Sequence, residues 1–226
     1  AFSGPGAKQK ERRQNADSAP FFCLLSEKIS GKIKTMRKVN SLVKVLTYSD
    51  VLIISGWGLV SPIFAVFVAE QIPGGNIELV GLATSVYLVL KSFLQIPVAR
   101  FIDKHRGEID DLIIMAFGTL IISTIPFLFY HTRSAIQLLL IQALHGVGAA
   151  MITPGWSAIF TRHIDPHREA QEWSLYNSMV NLGAALAGAL GGFLAEKFGF
   201  QTLFLVVGAV CIAGTSLLYF VYQDIR

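Results

Sequence analysis

Six long apolar stretches fill almost everything after Ser49, separated by short polar connections. The first, 51–69, holds no charged residue; at ~1.5 Å per residue it is about 28 Å long as a helix, close to the thickness of a bilayer's hydrocarbon core. The stretches 79–99, 112–130, 135–160, 173–195 and 200–222 have comparable length and composition. The pattern predicts an all-α membrane protein with six transmembrane helices, whose two ends lie on one side. The membrane domain is expected over 45–222, followed by a short tail, 223–226. Between the first two stretches, Glu70 to Glu78 is acidic and carries Pro73, Gly74, Gly75 and Asn76, a composition suited to a tight exposed turn.

The start of the chain differs in character. Residues 1–35 are dominated by Gly, Pro, Lys, Arg and Ser, and the run Phe21 to Leu25 is too short to span a bilayer. Residues 1–44 are therefore expected to be a disordered, basic cytoplasmic leader. Met36 precedes a basic stretch and then the first span, as a natural start would, so the leader reads as an extension or upstream translation. A cleavable signal peptide is the alternative, but no small-residue cleavage site follows the apolar run.

Composition sharpens the membrane reading. Hydrophobic residues make up 53% and charged residues only 15% of the 226, against roughly a quarter charged in soluble domains. The formal charge of +4 does not mark a nucleic-acid binder, because the basic residues fall between apolar segments rather than along one soluble face. They report orientation instead. Lys32, Lys34, Arg37, Lys38, Lys44, Arg100, Lys104, Arg106, Arg162, Arg168 and Arg226 fall on one side and only Arg133 and Lys197 on the other. By the positive-inside rule both termini are cytoplasmic, in an inner or plasma membrane. Cys23 and Cys211 lie far apart, so neither a disulfide framework nor a metal site is indicated, and no cofactor is expected.

Strongly polar residues inside the spans are concentrated on particular helices. The second span carries Tyr87, Lys91 and Gln95 at four-residue intervals, the fourth Gln142 and His145, and the fifth Ser174, Asn177, Ser178 and Asn181. These spacings place each set on one helical face. The first span is intermediate, with Ser55, Trp57 and Ser61; the third and sixth hold only Ser, Thr and Cys, which bond to their own helix carbonyls at little cost. Asn177 and Asn181 also read as interhelical hydrogen-bond partners, worth roughly 0.6–2 kcal/mol, and His145 as a packed histidine. Lys91 is harder to absorb. It lies about eight residues, or ~12 Å, from the cytoplasmic end of its helix, so snorkelling relieves only part of its cost. Small residues recur as well: Gly183, Gly188, Gly191 and Gly192 on the fifth span, and Gly146, Gly148, Ala149 and Ala150 on the fourth, permit close helix approach.

With the segments placed, the chain resembles the major facilitator superfamily over about residues 45–222, specifically its first six-helix half. The loop between the second and third spans is similar to that family's Gly-x-x-x-Asp-Arg/Lys-x-Gly signature, with Ala99, Asp103 and Lys104 at matching places, Arg106 in place of the second Gly, and Gly107 one place late. The resemblance implies that Asp103, Lys104 and Arg106 gate the cytoplasmic helix ends. The fourth span is similar to Arg-x-x-Gln-Gly-x-Gly-Ala-Ala, with Gln142 standing for the arginine, a replacement that does not favour proton antiport. The fifth matches Gly-x-x-x-Gly-Pro-x-x-Gly-Gly at Gly183, Gly191 and Gly192, with Ala187 and Gly188 replacing the Gly-Pro pair.

The resemblance implies a secondary transporter, not an enzyme, moving a small solute by alternating access. Lys91, Gln95, Gln142, His145, Asn177, Asn181, Trp57 and Tyr87 are its candidate path residues, and the basic side chains hint at an anionic solute. The superfamily's working unit pairs two six-helix bundles, so this chain is expected either to be a fragment of a longer protein or to pair with a parallel copy of itself. A non-transporting membrane subunit, with Lys91 paired to a partner's carboxylate, is a second reading. An intramembrane enzyme is a third, resting only on an incomplete Gly-x-Ser-x-Gly pattern around Ser157.

Overall fold

The computed structural model describes residues 40–105 and 107–225. The expected leader, apart from 40–44, lies outside the described residues with Met36, Arg106 and Arg226. Among the described residues, all regular structure is helical. Helix α1 (Ser41–Val60) passes through a 3-10 turn at Ser61–Ile63 into α2 (Phe64–Gln71); α3 (Ile77–His105), α4 (Glu108–His131), α5 (Ala135–His163) and α6 (Glu169–Ile225) follow. Among the described residues five helical runs are long and apolar enough to cross a membrane: Ser41–Gln71, Ile77–Lys104, Glu108–His131, Ala135–His163 and Glu169–Gln223.

The first helix starts at Ser41 rather than at 51, so 41–44 are helical. Asn40 explains the start: its side-chain oxygen accepts from the Leu42 N–H at 3.1 Å, an N-cap. Leu42, Val43 and Leu46 are then buried, so packing holds a turn that Lys44 and Asp50 had made look too polar to belong to a span. Asn76 starts α3 by accepting from the Leu79 N–H at 2.8 Å, and Ser134 does the same for α5 with Gln137 at 3.3 Å. The 3-10 turn sits where Pro62, lacking an N–H, interrupts the α-helical ladder.

The expected fifth and sixth helices form the single run α6, 57 residues long, with one non-helical residue inside it, Gly199 (φ 81°, ψ 164°). That φ favours glycine, and the chain reverses there. A methyl group at Gly183 would strike Ser55, and one at Gly214 would lie 2.9 Å from the Ser49 carbonyl. Both positions therefore touch the same level of α1, although a straight helix would hold them about 46 Å apart. The two arms, 169–198 and 200–225, run back along one another and clasp α1 between them.

That clasp uses small residues. Gly58 lies against Ala184, with only 3.1 Å between a methyl added there and the Ala184 backbone, and Gly191 sits directly on the Leu59 backbone. On the other arm, a methyl at Gly56 would be 2.9 Å from Cys211 Sγ. Gly118 and Gly148 play the same part between α4 and α5, and Ser123 and Thr215 hydroxyls bond at 2.8 Å between α4 and α6. Near α2, Phe67, Phe129 and Phe204 fill a buried cluster, with the Phe67 and Phe204 rings 4.8 Å apart, edge to face. The exposed large residues of α3, including Leu82, Leu88, Phe93 and Phe101, are consistent with a lipid-facing surface.

Ion-pair contacts tie α4 to α5. Asp111 is fully buried, and Arg162 donates to its Oδ2 at 2.6 Å; its Oδ1 has no hydrogen-bond partner among the described residues. Glu108 lies 3.9 Å from Arg162 and 3.7 Å from His163.

Removing the cation alone strands a buried charge. Arg162→Met is expected to destabilise the folded chain by about 3 kcal/mol, and adding Asp111→Asn to recover most of that loss, read as thermal unfolding midpoints in detergent. In the same assay Gly191→Ala is expected to cost about 2 kcal/mol by forcing α1 and α6 apart. Gly192→Ala, which adds a methyl into open space, is expected to leave the midpoint unchanged.

Candidate functional site

A cavity of ≈ 440 Å³ opens among α1, α3, α4 and α5. Its polar lining comes from Asp50, Trp57 and Ser61, from Thr84, Tyr87 and Lys91, and from Gln142, His145 and Thr153. Ile53, Ile54, Ile122 and Ile152 supply much of the apolar remainder.

Backbone proximity sets this geometry. Gly146 lets α5 approach α3 so closely that a methyl there would lie 2.6 Å from the Tyr87 carbonyl oxygen and 3.3 Å from the Lys91 backbone nitrogen. The neighbouring His145 is thereby pressed between two rings: its imidazole stacks on Trp57 at 4.1 Å with an interplanar angle of 18°, and lies 4.5 Å from Tyr87 at 40°. Its Nδ1 is 3.2 Å from Gln142 Oε1. A bond to that carbonyl oxygen requires the proton on Nδ1, which leaves Nε2 an acceptor in the neutral ring. Gln142 and His145, three residues apart, meet on one face of α5.

Lys91 is half-buried on α3, with its ammonium 6.0 Å from the centre of the Tyr87 ring. That is the outer limit of a cation–π contact. Lys91 forms no ion pair among the described residues. The indole N–H of Trp57 is buried without a hydrogen-bond partner among the described residues.

Of the candidate path residues, Trp57, Tyr87, Lys91, Gln142 and His145 are thus brought together around one cavity. The other three lie elsewhere. Gln95 is half-buried one turn beyond Lys91, and Asn177 and Asn181 are exposed on the first arm of α6. In the expected gating loop Ala99 is half-buried, while Asp103 and Lys104 are exposed at the end of α3; Arg106 lies outside the described residues. Gly183 and Gly191 contact α1 closely, Gly188 makes ordinary contact with Gly58, and Gly192 faces open space.

The sequence reading missed Asp50. Its carboxylate lines the cavity and accepts from the Tyr176 hydroxyl of α6 at 2.5 Å. Tyr176 is itself set by an aromatic group, with its ring 4.6 Å from Trp156 and 5.4 Å from Phe160. A signal was present: Asp50, Ile53, Ile54 and Trp57 follow the three-and-four spacing of one helical face.

A profile of the Major Facilitator Superfamily matches residues 49–225. The chain is 22% identical over 190 residues to an uncharacterized MFS-type transporter of Methanocaldococcus jannaschii, covering 84% of this chain and 48% of that protein. It is 23% identical over 158 residues to the quinolone resistance protein NorA of Staphylococcus aureus, covering 70% of this chain and 39% of that one. The crystal structure of the POT family transporter PepTSo matches the fold with a TM-score of 0.69 at 15% identity, over 84% of this chain and 39% of that chain. The chain spans about half the length, or less, of the curated relatives it matches.

The Asp50–Tyr176 bond couples two helices that otherwise meet through small residues. Tyr176→Phe is expected to lower stability by about 1.5–3 kcal/mol, the usual worth of a hydrogen bond to a charged group. In an Asp50→Asn background the same change is expected to cost distinctly less, and a double-mutant cycle on thermal midpoints measures the difference.

Proposed function

The chain belongs to the major facilitator superfamily and is an integral multi-pass membrane protein, and on that premise we propose that it moves a small solute across the membrane by alternating access. Lys91 is the observation that carries this reading: an ammonium without an ion pair among the described residues, midway along an apolar helix, opening into a cavity. Charges at such depth are costly and mark substrate or ion pathways. Trp57, Tyr87, Gln142 and His145 surround it as the solute-facing wall.

In this reading the two arms of α6 are the fifth and sixth of six spans, making one half bundle with both termini cytoplasmic. The ends of α3 and α4, with Ala99, Asp103 and Lys104, then face the cytoplasm and serve as the gate, together with Arg106. Asn177 and Asn181, polar and exposed on an otherwise apolar helix, are suited to a second bundle rather than to lipid. That bundle is supplied either by further chain or by a parallel copy of this one. The exposed surfaces supporting this pairing are separate from the cavity wall, so pairing and solute binding rest on different residues.

Flux of radiolabelled small solutes into proteoliposomes tests the proposal. Lys91→Met is expected to reduce flux about 10- to 100-fold, the equivalent of one charge-assisted contact, with folding and assembly unchanged. Absence of flux from a folded, assembled protein across a broad solute panel would sink it. Loss of assembly in Lys91→Met would instead favour a membrane subunit whose partner carries the matching carboxylate.

A further inference from the structure

We infer that the cavity is a site for a small zwitterion with a flat or aromatic body, its carboxylate held by Lys91 and its ammonium by Asp50. The inference deepens the transport reading and rests on it for the identity of the site. Two opposite charges line one cavity, yet they do not pair with each other among the described residues.

Their depths match. Trp57 on α1 and Tyr87 on α3 meet at His145. Helix α3 runs antiparallel to α1 and α2, since Phe67 and Val68 share a cluster with Leu79, Val80 and Ala83 at the earlier end of α3. Lys91 lies four residues beyond Tyr87, about 6 Å along α3, and Asp50 seven residues before Trp57, about 10 Å along α1. Antiparallel helices make those two displacements point the same way. The charges therefore stand on different walls within about one helical turn of the same level.

Asp50 is also fixed for the task. Tyr176 holds its Oδ2, and Oδ1 makes no hydrogen bond among the described residues, so one oxygen is anchored and one is free to accept. The Trp57 and Tyr87 rings that flank His145 line the cavity and offer aromatic surface for the ligand's body, and ≈ 440 Å³ is within the range of small-molecule sites. A monoanion would satisfy Lys91 but bring a second carboxylate to the level of Asp50. A monocation would reverse the problem. Only a ligand carrying both charges compensates both groups in a medium where unpaired charge is expensive.

The test uses the full chain in lipid nanodiscs and three probes: L-phenylalanine, N-acetyl-L-phenylalanine, which lacks the ammonium, and L-phenylalaninamide, which lacks the carboxylate. Calorimetric titration is expected to show phenylalanine binding about tenfold or more tighter than either blocked form. Asp50→Asn is expected to abolish the preference over the N-acetyl form, and Lys91→Met the preference over the amide. Asp50→Glu and Lys91→Arg, which keep the charges, are expected to retain both preferences and so separate charge recognition from misfolding. Equal or tighter binding of either blocked form would overturn the inference, as would no detectable binding of phenylalanine by the folded chain. Binding with the expected preferences but without flux in proteoliposomes would sink the transport reading alone; flux without the preferences would sink this inference alone.

Discussion

Helix α1 is held by backbone contact, and the cavity depends on that. Between helices in lipid there is little hydrophobic driving force, so association rests on close packing and on hydrogen bonds. Gly56 and Gly58 on α1, with Ala184 and Gly191 on one arm of α6 and Cys211 and Gly214 on the other, bring main chains into contact along most of the helix. With that side of α1 occupied, its other side presents Asp50, Ile54 and Trp57 to the cavity. Clasp and cavity are thus two sides of one helix.

Most polar side chains in the bundle are quiet. Thr47 donates to the Val43 carbonyl, Thr84 to Val80, Thr153 to Ala149 and Ser216 to Ile212, each within its own helix. Such back-bonding meets the demand that polar groups in lipid be satisfied locally. Against that background Lys91, Asp50 and the Trp57 N–H stand apart, and they surround the same space.

Much of this was legible in the residues. Each apolar run falls within helical structure among the described residues, because burying or lipid-exposing a long apolar segment leaves few alternatives, and Tyr87, Lys91, Gln142 and His145 declared their faces by spacing. Asp50 and Asp111 escaped because each lies near the edge of an apolar run, where a charge reads as the end of a span. Only packing against Tyr176 and Arg162 shows that both belong to the interior. Asn177 and Asn181 have the spacing of path residues but lie exposed on the first arm of α6, since periodicity gives a face and not its neighbour. The break at Gly199 falls between the fifth and sixth apolar stretches, 173–195 and 200–222, just after Glu196 and Lys197.

The hairpin at Gly199 also works as a ruler. Gly183 and Gly214 sit sixteen and fifteen residues from it and touch the same level of α1. An inserted residue between Gly191 and Gly199 would shift one arm by ~1.5 Å and rotate it by ~100° relative to the other. The small residues of that arm would then turn away from α1 and bulky ones would arrive in their place. Chain length in this connection is therefore constrained as tightly as residue identity in a core, although the connection itself buries almost nothing.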